Sequence, residues 1–334
     1  MTDDLPVGLS TGGPRVVALG GGHGLHASLS ALRQVATNPT AVVTVADNGG
    51  SSGRLRGEFG VLPPGDLRMA LAALCGDNEW GQTWERVLQH RFEGEGQMRG
   101  HVVGNLLIVS LWELLGDHVA ALGWVARLLG AEGTVLPMAV TPMDITAEVR
   151  GLDADDPARL TTVRGQVEVA TTAGSIVSIA LDPPDPTACS EAVAAVRSAD
   201  WVFLGPGSWY TSVIPHLMVP ALREALVETD AKLVVVLNLE GQAGETPGYA
   251  PEDHLAALHE HAPDLTIHTV LADRTTVTDA QTLEQAVASW GARLEVADLA
   301  AGDGSPRHDP LKLAVAFDQI LRGGPGAGTA PEGD

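Results

Sequence analysis

The chain alternates short β-branched apolar runs with segments whose leucines recur every three or four residues. Val16-Val17-Ala18-Leu19 and Ala41-Val42-Val43-Thr44-Val45 are unbroken apolar runs, the pattern of strands buried on both faces. Between them Leu25, Leu29 and Leu32 keep helical spacing, and Asn38-Pro39 closes the segment. This unit reads strand, loop, helix, strand, which is half of a mononucleotide-binding fold. The alternation returns later, with strands predicted at Trp201–Leu204, Lys232–Leu237, Thr266–Leu271 and Arg293–Val296, and helices over Ala188–Arg197, Ala280–Trp290 and Leu311–Leu321. The expected fold class is α/β, a doubly wound, mostly parallel, Rossmann-like sheet.

The middle of the chain has a different rhythm. Helices are predicted over Glu79–Phe92, from Gly100-His101-Val102 onward, and over Asp117–Leu129, with Trp80, Trp84, Val87 and Leu88 expected to share one core-facing side. From Leu136 to Gln166 the chain is rich in Pro, Asp and Thr with short alternations such as Ala147–Leu152, read as a small irregular β subregion at 136–170 beside the main sheet. Ser175–Leu181 is the next predicted strand. The organisation expected is a flexible lead-in at 1–14, one α/β domain at 15–322 and a disordered Gly/Pro-rich tail from Gly323.

The apolar runs end in loops that carry chemistry. Gly20, Gly21, Gly22 and Gly24 surround His23, so the backbone can turn tightly and a ligand can approach it, while the following helix points free N–H groups and a partial positive charge at the same place. An anion fits there. The second run leads into Asp47-Asn48-Gly49-Gly50-Ser51-Ser52-Gly53-Arg54, where Asp47 can hold a ribose hydroxyl or a magnesium ion and Ser51, Ser52 and Arg54 offer donors. Arg56 and Arg68 bring further guanidiniums. In Leu62-Pro63-Pro64-Gly65-Asp66, Asp66 is placed either to cap the helix Leu67–Leu74 or to bind a ligand or metal. Later, Asn105 sits near a helix start, Gly205-Pro206-Gly207-Ser208-Trp209-Tyr210 follows another buried strand, and Asn238 falls at a strand's C-terminal end, where open α/β sheets bind ligands.

These residues carry a resemblance. Gly-Gly-Gly-His-Gly-Leu at 20–25, Thr-Val-Ala-Asp-Asn-Gly-Gly-Ser-Ser-Gly-Arg-Leu-Arg at 44–56 and Gly-Val-Leu-Pro-Pro-Gly-Asp-Leu-Arg at 60–68 resemble the YvcK-type gluconeogenesis-factor family, which is similar in fold to 2-phospho-L-lactate transferase, the CofD enzyme. The resemblance covers roughly residues 15–320. It implies a cytosolic bacterial protein that binds UDP-sugars and influences carbon metabolism, cell shape and cell-wall synthesis. It also implies that Gly205-Pro206-Gly207-Ser208 and Tyr210 line the site, that Tyr249 takes part in UDP-sugar binding, and that Asn105 belongs to a family Gly-His-x-x-Gly-Asn stretch. The family shows Thr at the place of His23 and a second Asp at Asn48, and an Asp-Asn pair is a poorer hard-cation site than Asp-Asp.

Composition narrows the partners. The formal charge of −22 over 334 residues offers no basic stripe for nucleic acid, although screening within roughly 8 Å lets a local arginine cluster still hold an anion. Cys75 and Cys189 are the only cysteines, too few for a disulfide framework or a cysteine metal site. No apolar run is long enough to span a bilayer, so no membrane insertion and a cytoplasmic location are expected. His254, His259 and His261 lack metal-binding spacing and are expected on a surface helix.

Three functions compete. A UDP-sugar-binding regulator, its ligand expected to be UDP-N-acetylglucosamine, would need no cofactor and would be read by an unidentified protein partner in cell-wall or carbon regulation. A magnesium-assisted phosphotransferase would bring Mg2+ in with a bound nucleotide, Asp47 being its weak ligand. A dehydrogenase is the third, since Gly22-His23-Gly24-Leu25-His26-Ala27 fits G-x-G-x-x-A with Asp47 twenty residues beyond Ala27. The regulator is preferred, because a dinucleotide site leaves the loops at Asp47–Arg54 and Gly205–Ser212 unexplained. The binding scheme places the diphosphate on loops 20–24 and 205–208 with Arg54 or Arg307, and gives Asp47, Asn48, Asn105 and Asn238 the ribose or sugar hydroxyls. No catalytic residue is assigned. A homodimer is compatible with the fold, with no interface legible.

Overall fold

A computed structural model describes residues 13–323. The expected lead-in at 1–14 and tail from Gly323 therefore fall almost entirely outside the described residues. The apolar runs become strands because Val and Leu side chains can cover both faces of a pleated ribbon only where helices lie on either side. Seven such strands, β1 (Val16–Gly20), β2 (Thr40–Val43), β3 (Thr134–Pro137), β7 (Trp201–Leu204), β8 (Lys232–Val236), β9 (Thr269–Asp273) and β10 (Arg293–Ala297), form one all-parallel sheet. Their order is β3-β2-β1-β7-β8-β9-β10. The chain leaves β1 in one direction and later returns to its other side with β7. A topological switch point thus opens at the C-terminal ends of these two strands, where open α/β sheets take their ligands.

Helices cover the sheet. Helix α1 (Gly22–Val35) follows β1 directly and packs against α3 (Gly65–Ala73) and the closing α13 (Pro310–Arg322), burying Leu25, Leu29 and Leu32. Helix α2 (Gly50–Phe59) leaves the β2 end, and α4 (Glu79–Gln89), α5 (Val103–Leu115) and α6 (His118–Leu129) form a packed group on the β3 side. On the other half, α8 (Ser190–Ser198), α10 (Pro220–Glu228), α11 (Pro251–His261) and α12 (Ala280–Ser289) alternate with strands. The largest buried side chains include Trp209, Phe203 and Phe317, and the last two meet with ring centroids 4.6 Å apart.

The appendage sits later than the sequence predicted. Strands β4 (Asp144–Arg150), β5 (Leu160–Arg164) and β6 (Ser175–Asp182) form a separate antiparallel sheet in the order β5-β4-β6, with the short α7 (Gln166–Ala170) beside it. The predicted subregion 136–170 therefore splits. Thr134–Pro137 belongs to the main sheet, at an edge where Pro137 need not donate to a neighbour, and Ser175–Leu181 leaves the main sheet for the small one. Two further expectations change. Of the four residues expected on the core-facing side of α4 only Leu88 is fully buried, while Trp80 is 56% exposed. On α11 His254 is buried, edge-on to Trp209 and Tyr249, because its Nδ1 lies 3.0 Å from the Ala250 carbonyl inside the helix.

Candidate functional site

The outer wall of the site is made of backbone. Gly21 N-caps α1 and has no side chain to bond the helix start, so the first-turn N–H groups beyond Gly22 are left for the cleft that His23 and Gly24 line. Gly22 has φ +57°, a left-handed conformation that glycine adopts without strain. Gly24 is required for a second reason. A Cβ there would lie 2.2 Å from the Pro206 carbonyl oxygen and 2.8 Å from Gly207 Cα, so the loops after β1 and β7 touch backbone to backbone.

Loop 205–208 is held from β8. Gly207 N–H donates to Asn238 Oδ1 (2.9 Å) and Asn238 Nδ2 donates back to the Gly207 carbonyl (2.8 Å), locking Gly207 at φ +149°. Both ends of the Asn238 amide are thereby engaged, which makes it a positioning residue. Ser208 Oγ accepts from Gln242 Nε2 (3.2 Å). Next, a wide π-type turn at Trp209–Val213 leads into α9 (Pro215–Met218). Its open amides are taken by Glu245, which accepts from Tyr210 N–H (2.7 Å) and from the Thr211 hydroxyl; burial pushes this carboxyl's pKa up. The Tyr210 hydroxyl lies 3.0 Å from that of Tyr249, whose ring is edge-on to His254. Tyr249 is thus packed behind the wall, and stacking on uracil would require that loop to move.

Between these loops lies a cleft of about 920 Å³, lined by His23, Gly24, Gly207, Asn238, Arg307 and His308 among others. It is on the scale of a nucleotide-sized ligand. Arg307 holds its guanidinium at the rim by donating to Asp303 (2.8 Å) and Ser305 Oγ (3.0 Å). His23 titrates below its ordinary value through burial, then through the nearby His26, Arg307 and Arg68. Burial brings the His308 imidazole down to about 4, and its Nε2 has no hydrogen-bond partner among the described residues.

Under the first loop, outside the cleft lining, lies a floor made of side chains. Asp47 accepts from Gly49 N–H (2.8 Å) and from Ser52, and burial raises its pKa. Asp66 does not cap its helix. The helix starts one residue earlier, with Pro64 at the cap position, and the carboxylate turns instead to Gly22 N–H under the first loop. Burial, then the nearby Asp47, push Asp66 up to about 7. Arg68 is buried beside them, brought down to about 10 by burial and by Arg91; it donates to Gln89, and its Nε has no partner. Asn105, brought in by the start of α5, donates to Ser52 Oγ (3.5 Å) and leaves Oδ1 unpartnered.

Of the predicted residues, His23, Gly24, Gly207, Asn238 and Arg307 line the cleft; Asp47, Ser52, Asp66, Arg68 and Asn105 lie outside that lining, and three more point elsewhere. Ser51 turns to α5, accepting from Val102 N–H (3.2 Å) and lying 3.3 Å from His101 Nδ1. Asn48 donates to Glu168 (2.7 Å) and accepts from Val167 N–H (3.0 Å), tying the second loop to α7. Arg54 is exposed and donates to the Gln97 and Arg99 carbonyls. The residues that sequence reasoning did not single out are Gln242, Glu245 and His308. Glu245 and His308 are buried by partners distant in the chain, which leaves no local signature.

A parallel sheet with its cleft at the β1/β7 switch and two glycine loops in contact define an α/β protein whose candidate site lies where open sheets of this kind take their ligands. The chain belongs to the 2-phospho-L-lactate transferase CofD family, which matches residues 16–301. A Mycobacterium tuberculosis relative, named provisionally as a gluconeogenesis factor, is 50% identical over 319 residues, covering 95% of this chain and 93% of its own. The gluconeogenesis factor of Bacillus subtilis is 35% identical over 266 residues, with 80% of each chain covered. A crystal structure of a UPF0052-family protein from Bacillus halodurans aligns with a TM-score of 0.80 at 32% identity, covering 91% of this chain and 98% of that one. No helix among the described residues is long and apolar enough to cross a membrane.

Proposed function

We propose that the cleft binds a nucleotide diphosphate sugar, UDP-N-acetylglucosamine, and that the occupied state regulates carbon metabolism, cell shape and cell-wall synthesis through a partner protein in the cytoplasm, without turnover. The observation that supports this most is the contact between the Gly20–Gly24 and Gly205–Ser208 loops. That contact sets the start of α1, with its first-turn amides, against the second loop at one cleft, with Arg307 at the rim, an arrangement suited to a diphosphate. The relatives' name, gluconeogenesis factor, supports the metabolic side of the reading.

A second reading has its own support in the floor. Among the described residues no group of three or more His, Cys, Asp or Glu side chains is arranged to hold a metal ion. Asp47, however, lies close enough to Asp66 to raise its pKa, and two carboxylates suffice for a magnesium ion otherwise held by nucleotide phosphates. That arrangement would suit a phosphotransferase like the lactate enzyme.

Isothermal titration calorimetry of UDP-N-acetylglucosamine, with GDP and NAD as competitors and with or without magnesium, separates the two. The regulator requires metal-independent binding of the UDP-sugar with no product by mass spectrometry. Preference for GDP with a magnesium requirement would overturn it in favour of transfer chemistry.

A further inference from the structure

Two histidines stand one turn apart at the start of α1. His23 and His26 are spaced to share a face of the helix, and both line the cleft. His26 is anchored, with its Nδ1 3.2 Å from the Met69 carbonyl on α3. A carbonyl only accepts, so that nitrogen carries the proton. His23 is instead open to solvent through the cleft, across from Arg307 at the rim. Partial desolvation, then His26, Arg307 and Arg68, hold the His23 imidazole below its ordinary value. The partial positive charge of a helix start acts in the same direction. With such neighbours the ring is neutral near pH 7.

We propose that His23 is the proton-accepting contact of this cleft: a diphosphate ester lying between His23 and Arg307 is met by the His23 imidazolium, so that binding takes up a proton from solvent. This rests on the reading of the cleft as a diphosphate site. An anion there offsets the positive neighbours that keep the ring neutral, and the imidazolium adds a charge-assisted N–H···O bond that the neutral ring does not supply. Linkage then fixes the sign. If the anion tightens the hold of His23 on its proton, the proton tightens the hold of the cleft on the anion by the same factor. Affinity rises as pH falls through the titration of His23 in the complex, and levels off below its titration in the free protein. A displacement of about one pH unit between the two corresponds to about a tenfold gain.

The other ionisable groups around the ring leave few competitors for that proton. Asp309, from the segment entering α13, spends its carboxylate on the Leu311 and Lys312 N–H groups. His308, brought down to about 4 by burial, does not charge in the neutral range. Glu240, from the loop after β8, is an exposed carboxyl group at the cleft. From α3 come Arg68 and Asp66 under the first loop. Asp66, at about 7, is the second group that exchanges a proton near neutrality, and a substitution at His23 separates the two.

Calorimetric titration with UDP-N-acetylglucosamine between about pH 5.5 and 8, in pairs of buffers that differ in ionisation enthalpy, counts the protons taken up. A diphosphate diester has no proton of its own to exchange in that range, so the count belongs to the protein. The expected result is an uptake approaching about one proton per site and an affinity about tenfold higher at the acid end. His23→Gln keeps a neutral donor and removes the titration, so it should abolish the uptake and flatten the pH profile. In proton–carbon NMR, the His23 ring resonance, assigned by its loss in that variant, should titrate at higher pH in the saturated protein than in the free one. Binding of the UDP-sugar with no proton uptake overturns the inference and leaves the diphosphate site standing. An uptake that survives His23→Gln also overturns it and assigns the proton to Asp66. NAD, another diphosphate diester, distinguishes failure here from failure of the proposed function. If NAD binds with His23-dependent uptake and the UDP-sugar does not bind, the inference stands and that function falls; if neither binds, both fall.

Discussion

The cleft wall and the network under its first loop are built from different material. The outer wall, Gly20–Gly24 against Gly205–Ser208, is backbone held by glycine geometry and by the Asn238 amide, and its open donors are the first-turn amides of α1 beyond Gly22. The inner floor is a side-chain network in which Asp47, Ser52, Asp66, Arg68 and Asn105 engage one another. A phosphate in the cleft meets the α1 amides and Arg307, while the carboxyl groups of Asp47 and Asp66 lie under the first loop, outside the cleft lining. This contrast gives the regulator and the transferase readings a common structural origin, because binding alone needs only the outer wall.

The sharpest way to break the comparison is at the loop contact. In Gly24→Ala the new Cβ would press on the Pro206 carbonyl, which is backbone and cannot rotate away. The loops must separate, at about 1–3 kcal/mol of stability, and misplaced donors should lower UDP-N-acetylglucosamine affinity about a hundredfold. Gly22→Ala is the matched control. Its Cβ would meet nothing within 4 Å, and only the φ of +57° opposes it, at about 1 kcal/mol. Urea denaturation with calorimetry on both variants checks this, and equal losses of affinity would show that backbone strain matters there and loop contact does not.

The floor is tested through protons. Asp66 titrates at about 7 in the folded protein against 3.8 for a free side chain, so the folded state binds the proton more tightly than the unfolded one. Stability should be greatest below pH 4 for this group and fall as pH rises through 7, by at most about 1.4 kcal/mol per pH unit. Asp66→Asn should remove that share of the slope in urea midpoints measured across the range. A slope that persists unchanged would assign the titration to another group.

The sequence made the outer wall legible and hid the floor, for physical reasons. Val16–Leu19 and Trp201–Leu204 are unbroken apolar runs that only a two-sided parallel sheet can bury, and each is followed by glycines whose conformation has a local cause. The floor depends on partners distant in the chain. Gly22 meets Asp66 and Ser52 meets Asn105, and no spacing rule announces such pairs. Asp66 misleads for a related reason: a carboxylate beside Pro-Pro-Gly resembles a helix cap, yet the stronger attraction is a free amide on another loop. Similarly, Pro137 made Thr134–Pro137 look like the start of an irregular region, although an edge strand tolerates proline.

The smallest expected effect separates two arginines that the sequence treated alike. Arg307 stands at the cleft with its guanidinium paired to Asp303, an exposed pair that solvent screens and a diphosphate can replace. Arg54 is spent on the Gln97 and Arg99 carbonyls, outside the cleft wall. A hydrogen bond to a charged group contributes about 1.5–3 kcal/mol, reduced here by the loss of the Asp303 partner. Arg307→Ala should therefore weaken UDP-N-acetylglucosamine binding about tenfold, whereas Arg54→Ala should change it less than about twofold. Calorimetric titration of the two variants decides. If Arg54→Ala costs as much as Arg307→Ala, the diphosphate lies toward α2 and the floor, and the division between wall and floor is drawn in the wrong place.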